Sequence, residues 1–228
     1  MPSDTYATRR SQLETYFDRT AAEAWKRLTS DAPVSGVRAT VRAGRAEMRE
    51  ALLSWLPRDL HGRRILDAGC GTGVLATEAA RRGADVVAID ISESLVSHAR
   101  DNAARQGGRQ PVFMVGDMLD PALGRFDHVV AMDSLIHYRL PDIADACARL
   151  LARTEWSLVM TIAPRTPLLA AMHAVGQLFP RGDRSPAIEP AKPQALRRLV
   201  DARGHRGGRE HRVARGFYIS HAMEWLPR

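Results

Sequence analysis

Cysteine is scarce in this chain, with Cys70 and Cys147 the only two in 228 residues. Neither has a partner ligand at zinc-finger spacing, which excludes a structural zinc or a disulfide framework and leaves two reduced packing thiols. Aromatic residues are few, at 6%, and no stripe of them is interleaved with the arginines as a nucleic-acid surface would require. No apolar run approaches the roughly 20 residues of a membrane-spanning helix. The start, Met1-Pro2-Ser3-Asp4, lacks the basic-then-apolar layout of a secretory signal, so cytoplasmic residence is expected. Internal repeats and long low-complexity tracts are missing too. What is present is ordinary globular composition, 45% hydrophobic and 26% charged, with enough length for one α/β domain. The net charge of +7 comes mainly from scattered arginine. It favours an anionic partner, whether nucleic acid, an acidic membrane surface or a carboxylate-bearing substrate, and fits a generic basic surface equally well.

Two regions follow from the pattern. Residues 1–60 read as an N-terminal helical arm, and 61–228 as the main domain. In the arm, "SQLETYFDRTAAEAWKRLTS" spaces Leu13, Phe17, Ala21, Ala24, Trp25 and Leu28 at three and four, an amphipathic stripe. Pro33 and Gly36 interrupt it, and "VRATVRAGRAEMREALLSWLP" resumes a helical pattern up to Pro57. From Arg63 strands and helices alternate. The strand-like runs are "RILDAG", "DVVAID", "VFMVGD", "FDHVVAMDS" and "WSLVMTIAP", with helices at "GVLATEAARRG", "SESLVSHARDNAARQ" and "PDIADACARLLAR". Such alternation builds a parallel sheet covered by helices on both faces. A short apolar helix, "TPLLAAMHAVGQLF", and a Pro/Gly/Arg-rich stretch follow, and one last strand, "RVARGFYISHAMEW", closes the chain. The polar run "ARGHRGGREHRVARG" reads as an exposed loop.

The loop Asp67-Ala68-Gly69-Cys70-Gly71-Thr72-Gly73 follows the first strand. In a doubly wound sheet this is where a ligand lies. Gly71-Thr72-Gly73-Val74-Leu75-Ala76 satisfies the dinucleotide pattern G-x-G-x-x-[GA], so a nicotinamide cofactor stays open on the glycines alone. Asp67 points elsewhere. A carboxylate at the loop opening opposes a pyrophosphate and suits a ligand with a cationic amine and sulfonium. Asp90, ending the second strand, can bind ribose hydroxyls. Asp117 is placed to accept from an adenine amino group, with Met118 against the ring.

With D-x-G-x-G-x-G complete, the stretch from about Arg63 to Pro164 resembles the class I S-adenosylmethionine-dependent methyltransferases. The resemblance implies a Rossmann-like seven-stranded sheet ending in an antiparallel hairpin, with S-adenosyl-L-methionine held by Asp67, Gly69, Gly71, Gly73, Asp90, Ile91, Asp117, Met118 and Asp133. After the fourth strand stands Met132-Asp133-Ser134-Leu135-Ile136-His137-Tyr138, not the [DN]-P-P-[YFW] of base-amino methyltransferases, and no Pro-Cys nucleophile occurs. Nucleic acid is therefore disfavoured.

The segments "MDSLIHYRLPDIADACARL", "YFDRTAAEAWKRL", "VRATVRAGRAEMREALLSWL", "LFPRGDRSP" and "GFYIS" are similar to the magnesium-protoporphyrin O-methyltransferases of (bacterio)chlorophyll biosynthesis. That resemblance implies esterification of one propionate of magnesium-protoporphyrin IX. Transfer to another small carboxylate or a phenol is the alternative, and a non-catalytic pigment carrier a further one. A flat, greasy dianion needs apolar cover and cationic partners. The cover is expected from the N-terminal stripe and from Leu168, Leu169, Met172, Leu178 and Phe179. The cations are expected among Arg42, Arg139, Arg181 and Arg184, since a guanidinium fork matches a carboxylate. By position and resemblance His137 holds or deprotonates the propionate, and Tyr16, in a mobile lid, closes the site. The resemblance also implies handover from the large subunit of magnesium chelatase. A lipophilic pigment and a basic chain are compatible with peripheral contact on photosynthetic membranes. Two departures stand out: Ala22-Glu23-Ala24-Trp25 where many relatives have Phe-Asp-Arg-Trp, and Arg45 where a histidine is common after Arg-x-Gly.

Overall fold

A computed structural model of the chain describes residues 3–18, 36–165 and 188–227. In chain order the elements are α1 (Asp4–Tyr16), α2 (Gly36–Ser54), β1 (Arg64–Ala68), α3 (Val74–Arg81), β2 (Asp85–Asp90), α4 (Glu93–Gln106), β3 (Val112–Val115), β4 (Phe126–Ala131), α5 (Leu140–Leu151), β5 (Thr154–Ile162), α6 (Pro193–Asp201), β6 (Arg206–Arg215) and β7 (Tyr218–Leu226). The sheet has seven strands in the order β3-β2-β1-β4-β5-β7-β6. The first five strands run parallel; β7 pairs antiparallel with β5, and β6 antiparallel with β7. This is the expected α/β Rossmann-like sheet, with its order reversing between β1 and β4.

Successive residues of a strand point to opposite faces, and the central strands are apolar on both. Leu66, Val129, Leu158 and Met160 join α1, α5 and α6 in one core layer. Ile65, Val130 and Val159 join α2, α3 and α4 in the other. The two arm helices therefore belong to different layers. Tyr6 and Leu13 bury α1 on the first face, and Met48, Leu52 and Leu53 bury α2 on the second. Ser3 caps α1, its hydroxyl accepting from the Tyr6 amide at 3.2 Å. Gly44 lets α2 close on the hairpin, since a Cβ there would lie 2.5 Å from the Tyr218 ring.

The polar run near the C-terminus is a strand, not a loop. β6 is the sheet's outer strand, only Val213 of it is buried, and charges on both faces are what an edge position tolerates. The nine-residue α6 was also not expected, because just Leu196 and Val200 face the core. The expected apolar helix at 166–179, with its cover residues Leu168, Leu169, Met172, Leu178 and Phe179, lies outside the described residues, as do Ala21, Ala24, Trp25, Leu28, Arg181 and Arg184.

Candidate active site

A cavity of about 350 Å³ opens at the carboxyl ends of β1, β2 and β4. Its floor is the glycine loop. The Gly69 and Cys70 amides donate to the Ile89 carbonyl at 2.8 and 3.0 Å, and the Gly71 amide donates to Asp90 Oδ2 at 2.8 Å. Gly69, at φ 84°, could not be alanine: its Cβ would stand 2.2 Å from the Ser134 Cβ. Gly73 has a different task from the one expected. It starts α3 at φ 74°, and a Cβ there would strike Phe113 at 2.7 Å and Ala99 at 2.9 Å. It serves helix-sheet packing and is off the cavity lining.

The floor is acidic. Asp67 is 2% exposed, and its Oδ2 has no hydrogen-bond partner among the described residues. Burial, reinforced by the Asp90 charge, pushes its carboxyl up to about 7 against an opposing bond from the Ala76 amide. Asp90 is raised as well, mainly by burial, although the amides of Ser92, Gly71 and Ile91 favour its ionised form. An orphaned, buried carboxylate oxygen facing a cavity fits a ligand that brings an ammonium group. Ile91 and Met118 also line the cavity.

Asp117 does not. Its Oδ1 accepts from the Tyr6 hydroxyl at 2.9 Å and the Leu119 amide at 2.9 Å, and its Oδ2 from Arg10 at 3.0 Å. Helix α1 thus occupies the carboxylate expected to read adenine and brings Tyr6 to the lining instead. The Tyr6 ring stacks on Tyr138, with centroids 4.7 Å apart. Tyr16 is likewise off the lining. It packs edge-on against Phe17 at 5.3 Å, and Phe17 is the ring that enters the cavity, 6.0 Å from His137. His137 lines the cavity and is buried. Arg139 caps α5 and is exposed, away from the lining.

The lining from α2 is basic. Arg42, Arg45, Ala46 and Arg49 share one face of α2 at i, i+3, i+4 and i+7. Arg45 pairs with Asp133, just past β4, whose side chain is only 4% exposed and which among the described non-glycine residues alone has positive φ, 54°. Its carboxylate also accepts from Thr161 Oγ1 at 2.9 Å and the Tyr218 hydroxyl at 3.1 Å. Thr161 Oγ1 in turn accepts from the Asp133 amide at 2.7 Å. Asp133 therefore ties β4, β5, β7 and α2 together beside the cavity. Tyr6, Tyr138, Arg45 and Arg49 were not expected as lining residues. For the arginines a signal existed, the helical spacing from Arg42.

Similarity to known proteins agrees with this arrangement. A family profile described as "Magnesium-protoporphyrin IX methyltransferase C-terminus" matches residues 131–227, and a methyltransferase-domain profile matches 65–154. A Rhodobacter capsulatus protein named magnesium-protoporphyrin O-methyltransferase is 53% identical over 228 residues, 100% of both chains. The chain belongs to the magnesium-protoporphyrin O-methyltransferase family. A Synechocystis protein of the same name is 30% identical, over 92% of each chain. The crystal structure of magnesium protoporphyrin IX methyltransferase from Synechocystis PCC 6803 with bound SAH aligns at TM-score 0.86 and 29% identity, covering 96% of this chain and 99% of that one. Membership of the magnesium-protoporphyrin O-methyltransferase family accounts for a site with one acidic and one basic wall, since one substrate of such an enzyme is a cation and the other an anion.

Proposed function

We propose that the chain transfers the methyl group of S-adenosylmethionine to one propionate of magnesium-protoporphyrin IX, releasing the monomethyl ester and S-adenosylhomocysteine. The observation that carries this reading is a cavity lined both by an orphaned buried carboxylate, Asp67, and by an arginine-bearing helix face. Full-length similarity to the Rhodobacter capsulatus protein supports it.

Bound S-adenosylmethionine supplies an electrophilic methyl on a positively charged sulfur. The ionised propionate forms one O–C bond as one S–C bond breaks, and no proton has to move. The chain's own work is binding and alignment. Asp67 would accept from the ammonium, and Asp90 and Ile91 would hold the ribose side. Met118 and Tyr6 would flank the adenine. Gly69 and Gly71 keep the floor free of side chains, and Asp133 fixes the loop carrying Ser134 and His137. His137 orients the carboxylate, and Phe17 and Leu13 on α1 exclude water from above. Such positioning can lower a barrier by about 7–11 kcal/mol in favourable cases.

Arg42 contributes to substrate binding from the basic wall. The pigment reaches the site from the large subunit of magnesium chelatase. The basic charge supports peripheral contact with photosynthetic membranes; no helix among the described residues is long and apolar enough to cross a membrane. Methyl transfer from labelled S-adenosylmethionine to magnesium-protoporphyrin IX, with metal-free protoporphyrin alongside, tests the reading. Ester formation that is strong with magnesium and weak without it is expected. No transfer to either porphyrin, with cofactor still bound, removes the substrate.

A further inference from the structure

Arg49 sits where the active-site cavity meets a second cleft of about 700 Å³; with Val74 it lines both. It is half-buried, and among the described residues no hydrogen bond or ion pair engages it. Its neighbour Arg45, one turn back on α2, differs sharply, being clamped by Asp133. Desolvation weighs first against the Arg49 charge and the Arg45 cation second, with Glu50 and Glu78 offsetting only in part. A partly desolvated cation beside a second cation, on the lining of a ligand cavity, is stabilised by an arriving anion.

The reaction proposed above involves two carboxylates, which differ in what they need. The attacking propionate loses its charge as the ester forms. An arginine paired to it would stabilise the charged ground state more than the charge-dispersed transition state, and so slow the step. The other propionate keeps its charge throughout, so pairing with it strengthens binding without that penalty. The two propionates of a protoporphyrin sit on adjacent pyrroles at one edge of the ring, so a porphyrin presenting one to the methyl donor presents the other nearby. Arg49, on the lining that the cavity shares with the second cleft, suits the second.

We infer that Arg49 is a specificity-determining residue that binds the propionate which is not methylated, and that this contact limits the reaction to one ester. The inference rests on the proposed magnesium-protoporphyrin activity. Its consequence concerns the product. A monoester could be methylated again only by turning its free carboxylate toward the donor, which places an uncharged ester against Arg49 and leaves the cation unpaired. The second methylation is thereby disfavoured without any steric block.

The test uses the full chain, Arg49→Gln and Arg49→Lys, with magnesium-protoporphyrin IX and its monomethyl ester as acceptors. Losing a charge-assisted pair is expected to raise KM for the dicarboxylate about 10- to 100-fold in Arg49→Gln, with kcat changed far less. KM for the monoester stays near its original value, so the preference for the diacid collapses; Arg49→Lys falls between. Porphyrin absorbance titrations with S-adenosylhomocysteine present read the same ratios as dissociation constants, independent of turnover. Calorimetric binding of S-adenosylhomocysteine to each variant verifies that its site is folded, and Arg49→Lys carries the comparison if the glutamine variant is not. An unchanged diacid-to-monoester ratio, or a loss confined to kcat, overturns the inference while the methyltransferase reading stands. Failure of the unaltered chain to methylate magnesium-protoporphyrin overturns both.

Discussion

The two walls of the cavity are made in different ways. The glycine-loop wall is backbone and carboxylate: amides pinned to a strand carbonyl and to Asp90, with Asp67 buried behind them and Asp90 half-buried. The α2 wall is side chain and cation, three arginines on one helical face, of which Arg45 is held by Asp133. The first is rigid because the sheet fixes it and tolerates almost no added atom. The second depends on how a helix is seated on a hairpin. One pocket thus sorts two ligands of opposite charge, and it does so with the least adaptable wall toward the small donor.

Breaking the basic wall is expected to have the largest effect. Asp133→Ala removes the carboxylate that Arg45, Thr161 and Tyr218 share. A loss of about 3–5 kcal/mol of stability in denaturant unfolding is expected, as for other half-removed buried pairs. Breaking the acidic wall comes next. Gly69→Ala drives a Cβ into Ser134 at a backbone angle alanine disfavours, costing about 1–3 kcal/mol and abolishing calorimetric binding of S-adenosylhomocysteine.

Asp67→Asn sharpens the comparison, because stability and affinity then move in opposite directions. The Asp67 carboxyl ordinarily titrates near 3.8 and in the fold near 7. The folded chain therefore keeps a proton that the unfolded chain releases. Stability from this group is complete below pH 3.8 and is lost as pH rises through about 7. An ammonium ligand prefers the ionised form, so affinity climbs over the same window, by at most about tenfold per pH unit. Melting and calorimetry from pH 5 to about 8.5 should show both trends in the unaltered chain and neither in Asp67→Asn. The variant should melt higher at the alkaline end and bind S-adenosylhomocysteine about 10- to 100-fold more weakly. A flat affinity profile in the unaltered chain would refute this role for Asp67. Smallest is a change outside both walls. Arg215 and Glu47 form an exposed ion pair between β6 and α2, and Arg215→Ala should cost no more than about 1 kcal/mol, with cofactor binding untouched.

The acidic wall was readable in the sequence, whereas the basic wall and the α1 contacts mostly were not. Asp67, Gly69 and Asp90 are tied to strand ends, and strands whose residues are apolar on both faces announce themselves locally. Arg45 and Arg49 look like any surface arginines until α2 is docked, and Gly44 is the only local hint that it docks closely. Tyr6 and Tyr138 are far apart in sequence and meet through α1, whose helix is short and weakly amphipathic. The partners that Asp117 finds in α1 were hidden for the same reason, being long-range contacts. The first part of β6 read as a loop because hydrophobic alternation marks strands with a buried face, and an edge strand of a hairpin has almost none.

That edge has a counterpart. At the far side of the sheet β3 is also terminal, and it shows solvent Val112, Met114 and Val115, exposed by 60, 39 and 47%. One border of the sheet repels a foreign strand with arginine, glutamate and histidine, while the other offers it bare amides and apolar side chains. When the protein clumps at high concentration, or stalls half-folded, growth will start from the β3 border. Additives or partners that raise its solubility will do so by covering those three residues.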